Sequence, residues 1–113
     1  MRLPNAENAI IDSKKLRDYV LSLSHPIGRF KAAFFSSLGY SQKNWKQLET
    51  DLRQQHLPKN TVFCQKTSYG KKYEIHGKIR GPNGKSEEIV SIWIILVDEK
   101  VPRFVTAYPG GNR

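Results

Sequence analysis

The chain reads as an α+β domain, with about three N-terminal helices packed on one face of a four-stranded antiparallel sheet. Three observations predict this. Up to about residue 57, apolar side chains recur at spacings of three and four, the helical period. From about residue 60 the pattern changes to alternation and to runs of β-branched and aromatic residues. Short turn signals separate those runs, so the strands follow one another as a meander after the helices. The 113 residues suffice for one core and are taken as a single domain, 1–113.

Residues 1–11 form an extended lead-in, with Leu3, Ile10 and Ile11 available to the core. Asp12 or Ser13 caps a first helix to about Leu23, with Leu16, Tyr19, Val20 and Leu23 as its apolar face. The second helix opens at Ser24-His25-Pro26. Ser24 or His25 stands at the cap, and Pro26 at the first helical position, where a missing N–H costs nothing. Ile27, Phe30, Phe34 and Leu38 make a core-facing stripe, and Gly39 supplies a left-handed stop. Ser41 caps a third helix to about Gln55, buried through Trp45, Leu48 and Leu52 and broken at Leu57-Pro58.

Strands are expected at 61–66, 72–79, 88–97 and 103–108. In the second, Tyr73, Ile75 and Ile79 share a face; the third is the most apolar and belongs in the centre of the sheet. Gly81-Pro82-Asn83-Gly84 is a turn, and Pro109-Gly110-Gly111 ends the last strand. Simple alternation there places Phe104, Thr106 and Tyr108 on one face and Arg103, Val105 and Ala107 on the other. Cys64 is expected to be a small buried strand residue, and Trp45 and Trp93 core residues.

Nineteen Lys and Arg against ten Asp and Glu give a net charge of +9 and an isoelectric point near 9.9. That bias favours a polyanionic partner: nucleic acid, an acidic protein or an anionic surface. One cysteine excludes an internal disulfide and a cysteine-rich metal site. No apolar run approaches the ~20 residues of a membrane span, and the N-terminus lacks a signal-peptide pattern, so a cytoplasmic setting without membrane association is expected. His25, His56 and His76 lack metal-ligand spacing, and no phosphate-binding glycine loop or nucleophile elbow occurs, so neither cofactor nor metal is expected.

The remaining chemistry is cationic and hydroxyl-bearing. RNA cleavage needs no metal where a base takes the 2′-OH proton, an acid protonates the leaving oxygen, and cations stabilise the charged phosphorane. His25 titrates near neutrality by type, Arg29 offers a planar fork, and Lys31 a point charge. Thr106 and Tyr108 add a hydroxyl and a phenol two residues apart on the last strand. On a helical wheel Arg29 and Lys31 stand about 200° apart, so one cleft receives both only at the helix N-terminal end.

These residues carry a resemblance. Leu3-Pro4-Asn5-Ala6, Lys15-Leu16-Arg17-Asp18-Tyr19, the run from His25 to Ala32, Leu38-Gly39-Tyr40 and Thr106-Ala107-Tyr108-Pro109 resemble an uncharacterised bacterial domain family common in cyanobacteria. That family is in turn similar to the barnase/EndoU/colicin/RelE group of metal-independent ribonuclease toxins. The resemblance implies a barnase/RelE-like order of helices before sheet. It also implies an endoribonuclease toxin cleaving RNA by 2′-OH transesterification. His25, Arg29, Lys31, Thr106 and Tyr108 become candidate catalytic residues, and RNA and a small acidic antitoxin or immunity protein become partners. The alternative is a non-catalytic basic domain that binds RNA or docks a partner.

Overall fold

The computed structural model describes residues 1–110. Gly111, named in the expected strand stop, lies outside the described residues. Three helical segments pack on one face of a four-stranded antiparallel sheet. Helix α1 (Ser13–Lys15) continues as a π-helical turn, Leu16–Val20. Helix α2 is Arg29–Ser36. Helix α3 (Trp45–Asp51) is entered through a 3-10 turn, Gln42–Asn44, and left through a π turn, Leu52–His56. The strands are β1 (Thr61–Lys66), β2 (Gly70–Arg80), β3 (Ser86–Leu96) and β4 (Arg103–Pro109), in spatial order β1-β2-β3-β4.

The caps expected from sequence form. Asp12 accepts from Lys14 N at the start of α1, and Ser41 forms a capping box with Asn44 before α3. Gly39 takes φ of 98° after α2, in the left-handed region. The core joins Leu16, Val20, Phe35, Leu38, Leu48 and Leu52 to one sheet face carrying Ile75, Ile79, Ile89, Trp93, Phe104 and Ala107.

Three expectations about buried faces are corrected. The π turn bonds Leu21 N to Leu16 O, five residues back, so Leu21 reaches the core while Leu23 is left exposed. Of the expected α2 stripe, Leu38 is buried and Phe34 packs at the core edge, but Ile27 and Phe30 are 66% and 71% exposed, and Ala32 and Phe35 are buried in their place. The helix is rolled because its N-terminal turn lies against α1: a Cβ at Gly28 would collide with the Tyr19 carbonyl. On β4, Trp93 pairs with Phe104 but Ile92 with Thr106, so Val105 is an extra residue, a β-bulge. Phe104 and Ala107 therefore share the core face, and Thr106 and Tyr108 point away from it.

Cys64 is also exposed, on the edge strand β1, where its thiol donates to Glu74 Oε2 at 3.0 Å. Trp93 is buried as expected, and Trp45 packs at the edge of the core. His56 is fully buried. Its Nε2–H donates to Gly77 O at 3.2 Å, and its Nδ1 lies 2.7 Å from Ser91 Oγ, which in turn accepts from Trp93 Nε1 at 2.8 Å. Among the described residues no helix is long and apolar enough to cross a membrane.

Candidate active site

The site begins with the Pro26–Gly28 turn that precedes α2; the helix expected from Pro26 starts three residues later, at Arg29, with Gly28 as its cap. His25 Nδ1 accepts hydrogen bonds from the N–H groups of Ile27 and Gly28, both at 3.0 Å, while the His25 carbonyl accepts from Arg29 N. These are the second and third positions after a cap, with Pro26 at the first, so His25 caps this turn with its ring. A ring nitrogen that accepts two N–H groups carries no proton. The capping tautomer is therefore Nε2–H, which leaves a donor on the ring's other side.

The close approach at Gly28 then brings α2 onto the end of α1. The Tyr19 and His25 rings meet edge to face with centroids 5.0 Å apart. Lys31, half-buried on the next turn, donates to the Tyr19 phenol oxygen, and its Nζ lies 4.5 Å from the ring centroid. Thr106 completes the group from β4. Its Oγ1 is buried and has no hydrogen-bond partner of good geometry among the described residues. It nonetheless lies near enough to Tyr19 to favour the ionised phenol, so the two oxygens are misaligned rather than apart.

These elements enclose a cleft of about 460 Å³ lined by Lys14, Lys15, Tyr19, His25, Val105 and Thr106. That size suits a nucleotide-sized ligand. The bulge at Val105 lets two successive residues of the β4 edge line it. No carboxylate lines the cleft, and among the described residues Lys14, Lys15 and Lys31 join no ion pair. The charged lining groups are therefore cationic. The Tyr19 phenol is held below its ordinary range first by the Lys31 hydrogen bond, with burial opposing; Thr106 and the charges of Lys31 and Lys15 add to the lowering.

Of the five residues singled out from sequence, His25, Lys31 and Thr106 come together around Tyr19. Arg29 and Lys31 part company, as the wheel implied. Arg29 is exposed, its guanidinium 4.8 Å from the Phe30 ring centroid, and it does not line the cleft. Tyr108 pairs in register with Val90, away from the core. Burial, then the charges of Glu74 and Cys64, raise its phenol, so it belongs with the Cys64–Glu74–His76 cluster rather than the cleft lining. Sequence reasoning placed Tyr19 only on the apolar face of the first helix. The signal that could have found it was Lys14-Lys15 four and five residues upstream on a helix otherwise read as core-facing.

A second cleft of about 520 Å³ lies between the lead-in and the β1–β2 turn, among Asn5, Lys66, Lys71 and Lys100; no histidine lines it. Among the described residues no group of three or more His, Cys, Asp or Glu side chains could hold a metal ion.

Helices packed on one face of a meander sheet, beside a cleft lined by lysines, a tyrosine, a histidine and a threonine, define a small α+β domain. The chain belongs to the family described as domain of unknown function (DUF6883), which matches residues 2–111. No curated protein sequence matches it. Among solved structures it is similar to a chain of a contact-dependent growth inhibition toxin–immunity protein complex from Klebsiella pneumoniae 342. The TM-score is 0.62 and the identity 19%, over 96% of this chain and 98% of that one. At that identity the likeness is one of fold.

Proposed function

We propose that this domain is a metal-independent endoribonuclease toxin of a toxin–immunity pair, cleaving RNA by attack of a 2′-OH on the adjacent phosphate. The observation that carries the reading is a cleft without a carboxylate lined by Tyr19, His25 and Thr106, with Lys31 bonded to the Tyr19 phenol oxygen beside it. Lys31, with Lys14 and Lys15 at the rim, would neutralise the phosphorane, and His25 Nε2–H would donate to one of its oxygens. The fold shared with a chain of a toxin–immunity complex supports the pairing. The charge of +9 favours the toxin side of such a pair, since its inhibitor would need complementary acidic groups.

The exposed Ile27 and Phe30, with Arg29 over the Phe30 ring, favour a second reading: partner docking without catalysis. Apolar anchors beside a cation suit the centre of a protein interface. Cleavage assays on purified protein separate the two. The wild type is expected to leave 2′,3′-cyclic phosphate ends on RNA. His25→Asn retains a capping side chain but lacks the ring donor, so it should fold normally and cleave about 100-fold more slowly. Wild-type protein that leaves RNA intact would refute the enzyme reading, and loss of partner binding in Phe30→Ala with unchanged folding would then favour docking.

A further inference from the structure

The Tyr19–Lys31 hydrogen bond beside the cleft bears on a difficulty in the ribonuclease reading. His25 commits Nδ1 to the Ile27 and Gly28 N–H groups of the turn before α2, so a ring in that arrangement offers a donor and has no free nitrogen to accept a proton. A group other than His25 must therefore act as base. The Tyr19 oxygen accepts from the Lys31 ammonium. A phenolate suits that donor; a phenol must also direct its own proton elsewhere. The buried Thr106 Oγ1 has no hydrogen-bond partner among the described residues and is a cause of the lowered phenol, so a modest turn would add a second donor. The charged groups facing the phenol are Lys15 on α1 and Lys31 on α2, with Lys14 and His25 also on the cleft wall and no acid among its lining residues.

We propose that Tyr19 is the catalytic base that takes the 2′-hydroxyl proton, and that Lys31 returns a proton to the leaving oxygen. This rests on the ribonuclease reading above. The Tyr19 phenolate accepts the proton of the 2′-OH, and the 2′-oxygen forms its bond to phosphorus. The bond from phosphorus to the 5′-oxygen breaks with its electron pair on that oxygen, which takes a proton from Lys31 Nζ. The products are a 2′,3′-cyclic phosphate and a free 5′-hydroxyl. Tyr19 is then a phenol and Lys31 a neutral amine, and one proton passing along their hydrogen bond restores phenolate and ammonium. No further reactant is consumed. The attacking and leaving oxygens lie on either side of one phosphorus, a little more than a hydrogen-bond length apart, so an adjacent donor–acceptor pair addresses both.

Two measurements on the full chain test this. In ultraviolet difference titration, the wild type should show one tyrosine ionising below the others. That phase should vanish in Tyr19→Phe and move to higher pH in Lys31→Met. In RNA cleavage, Tyr19→Phe should lower kcat by roughly 100-fold or more with KM little changed. Replacing Tyr19 with the more acidic 3-fluorotyrosine should move the acidic limb of the pH–rate profile, which reports ionisation of the base, to lower pH. Thermal melting confirms that each variant is folded. Wild-type protein that cleaves RNA while Tyr19→Phe retains full kcat would overturn the assignment and leave the ribonuclease reading standing. Inert wild-type protein overturns both. Absence of the low-ionising tyrosine overturns the assignment whatever the activity.

Discussion

Acidification offers a sharp test of how the core is wired, through His56. Its ring is fully buried, and burial is the main cause that lowers it from 6.5 to about 4. The neutral ring completes a chain in which Trp93 donates to Ser91, Ser91 to His56 Nδ1, and His56 Nε2 to Gly77 O. A protonated ring would present two donors, and the Ser91 hydroxyl could no longer donate to Nδ1. In the unfolded chain the ring protonates near 6.5, so between that value and about 4 unfolding takes up a proton. The contribution is whole above pH 6.5 and is lost as pH falls through the folded value. The gap between 6.5 and about 4, at about 1.4 kcal/mol per decade, amounts to roughly 3 kcal/mol by pH 4. Urea unfolding followed by Trp93 fluorescence measures it. Carboxylates held low by their hydrogen bonds, Glu74 to Cys64 and His76 among them, add acid sensitivity at lower pH, so the comparison is with His56→Gln. Glutamine offers one acceptor and one donor without titrating, and should flatten stability between about pH 4.5 and 6.5. Equal pH slopes for wild type and variant would refute the reasoning.

Two further substitutions test the packing. Gly28→Ala places a methyl group against the Tyr19 carbonyl, and overpacking there should cost about 1–3 kcal/mol in chemical denaturation. It should also weaken RNA cleavage, because α2 must retreat from α1 and carry His25 and Lys31 away from Tyr19. Tyr40→Phe removes the donor that reaches buried Asp51 Oδ2 at 2.6 Å, leaving that carboxylate with Gln47. The expected loss is about 1–3 kcal/mol, and a double-mutant cycle with Asp51→Asn should show coupling rather than additivity.

The sequence was most legible where structure is local. Asp12, His25 and Ser41 act as caps because a capping side chain bonds backbone two or three residues away. The strand bounds and the shared face of Tyr73, Ile75 and Ile79 follow from a period of two within one segment. His25 and Lys31 were identified because their residue types and their position at a helix start were visible in one stretch. Tyr19 was not, because its role comes from what touches it. An amphipathic tyrosine on an apolar helix face looks the same in sequence whether its oxygen meets water or an ammonium.

By itself the sequence determined the fold class, the order of helices and strands, the caps and the strong positive charge, all consequences of short-range preference and composition. Tertiary structure decided which of two equally periodic stripes on α2 is buried. Ile27-Phe30-Phe34 and Gly28-Ala32-Phe35 both fit a helix, and only the second contains residues small enough at its start for α1 to lie against. It also decided that an extra residue at Val105 presents Thr106 to the cleft, and that Lys31 rather than Arg29 reaches the phenol. Each of these depends on contacts between segments distant in sequence, and periodicity within one segment carries no information about its neighbour.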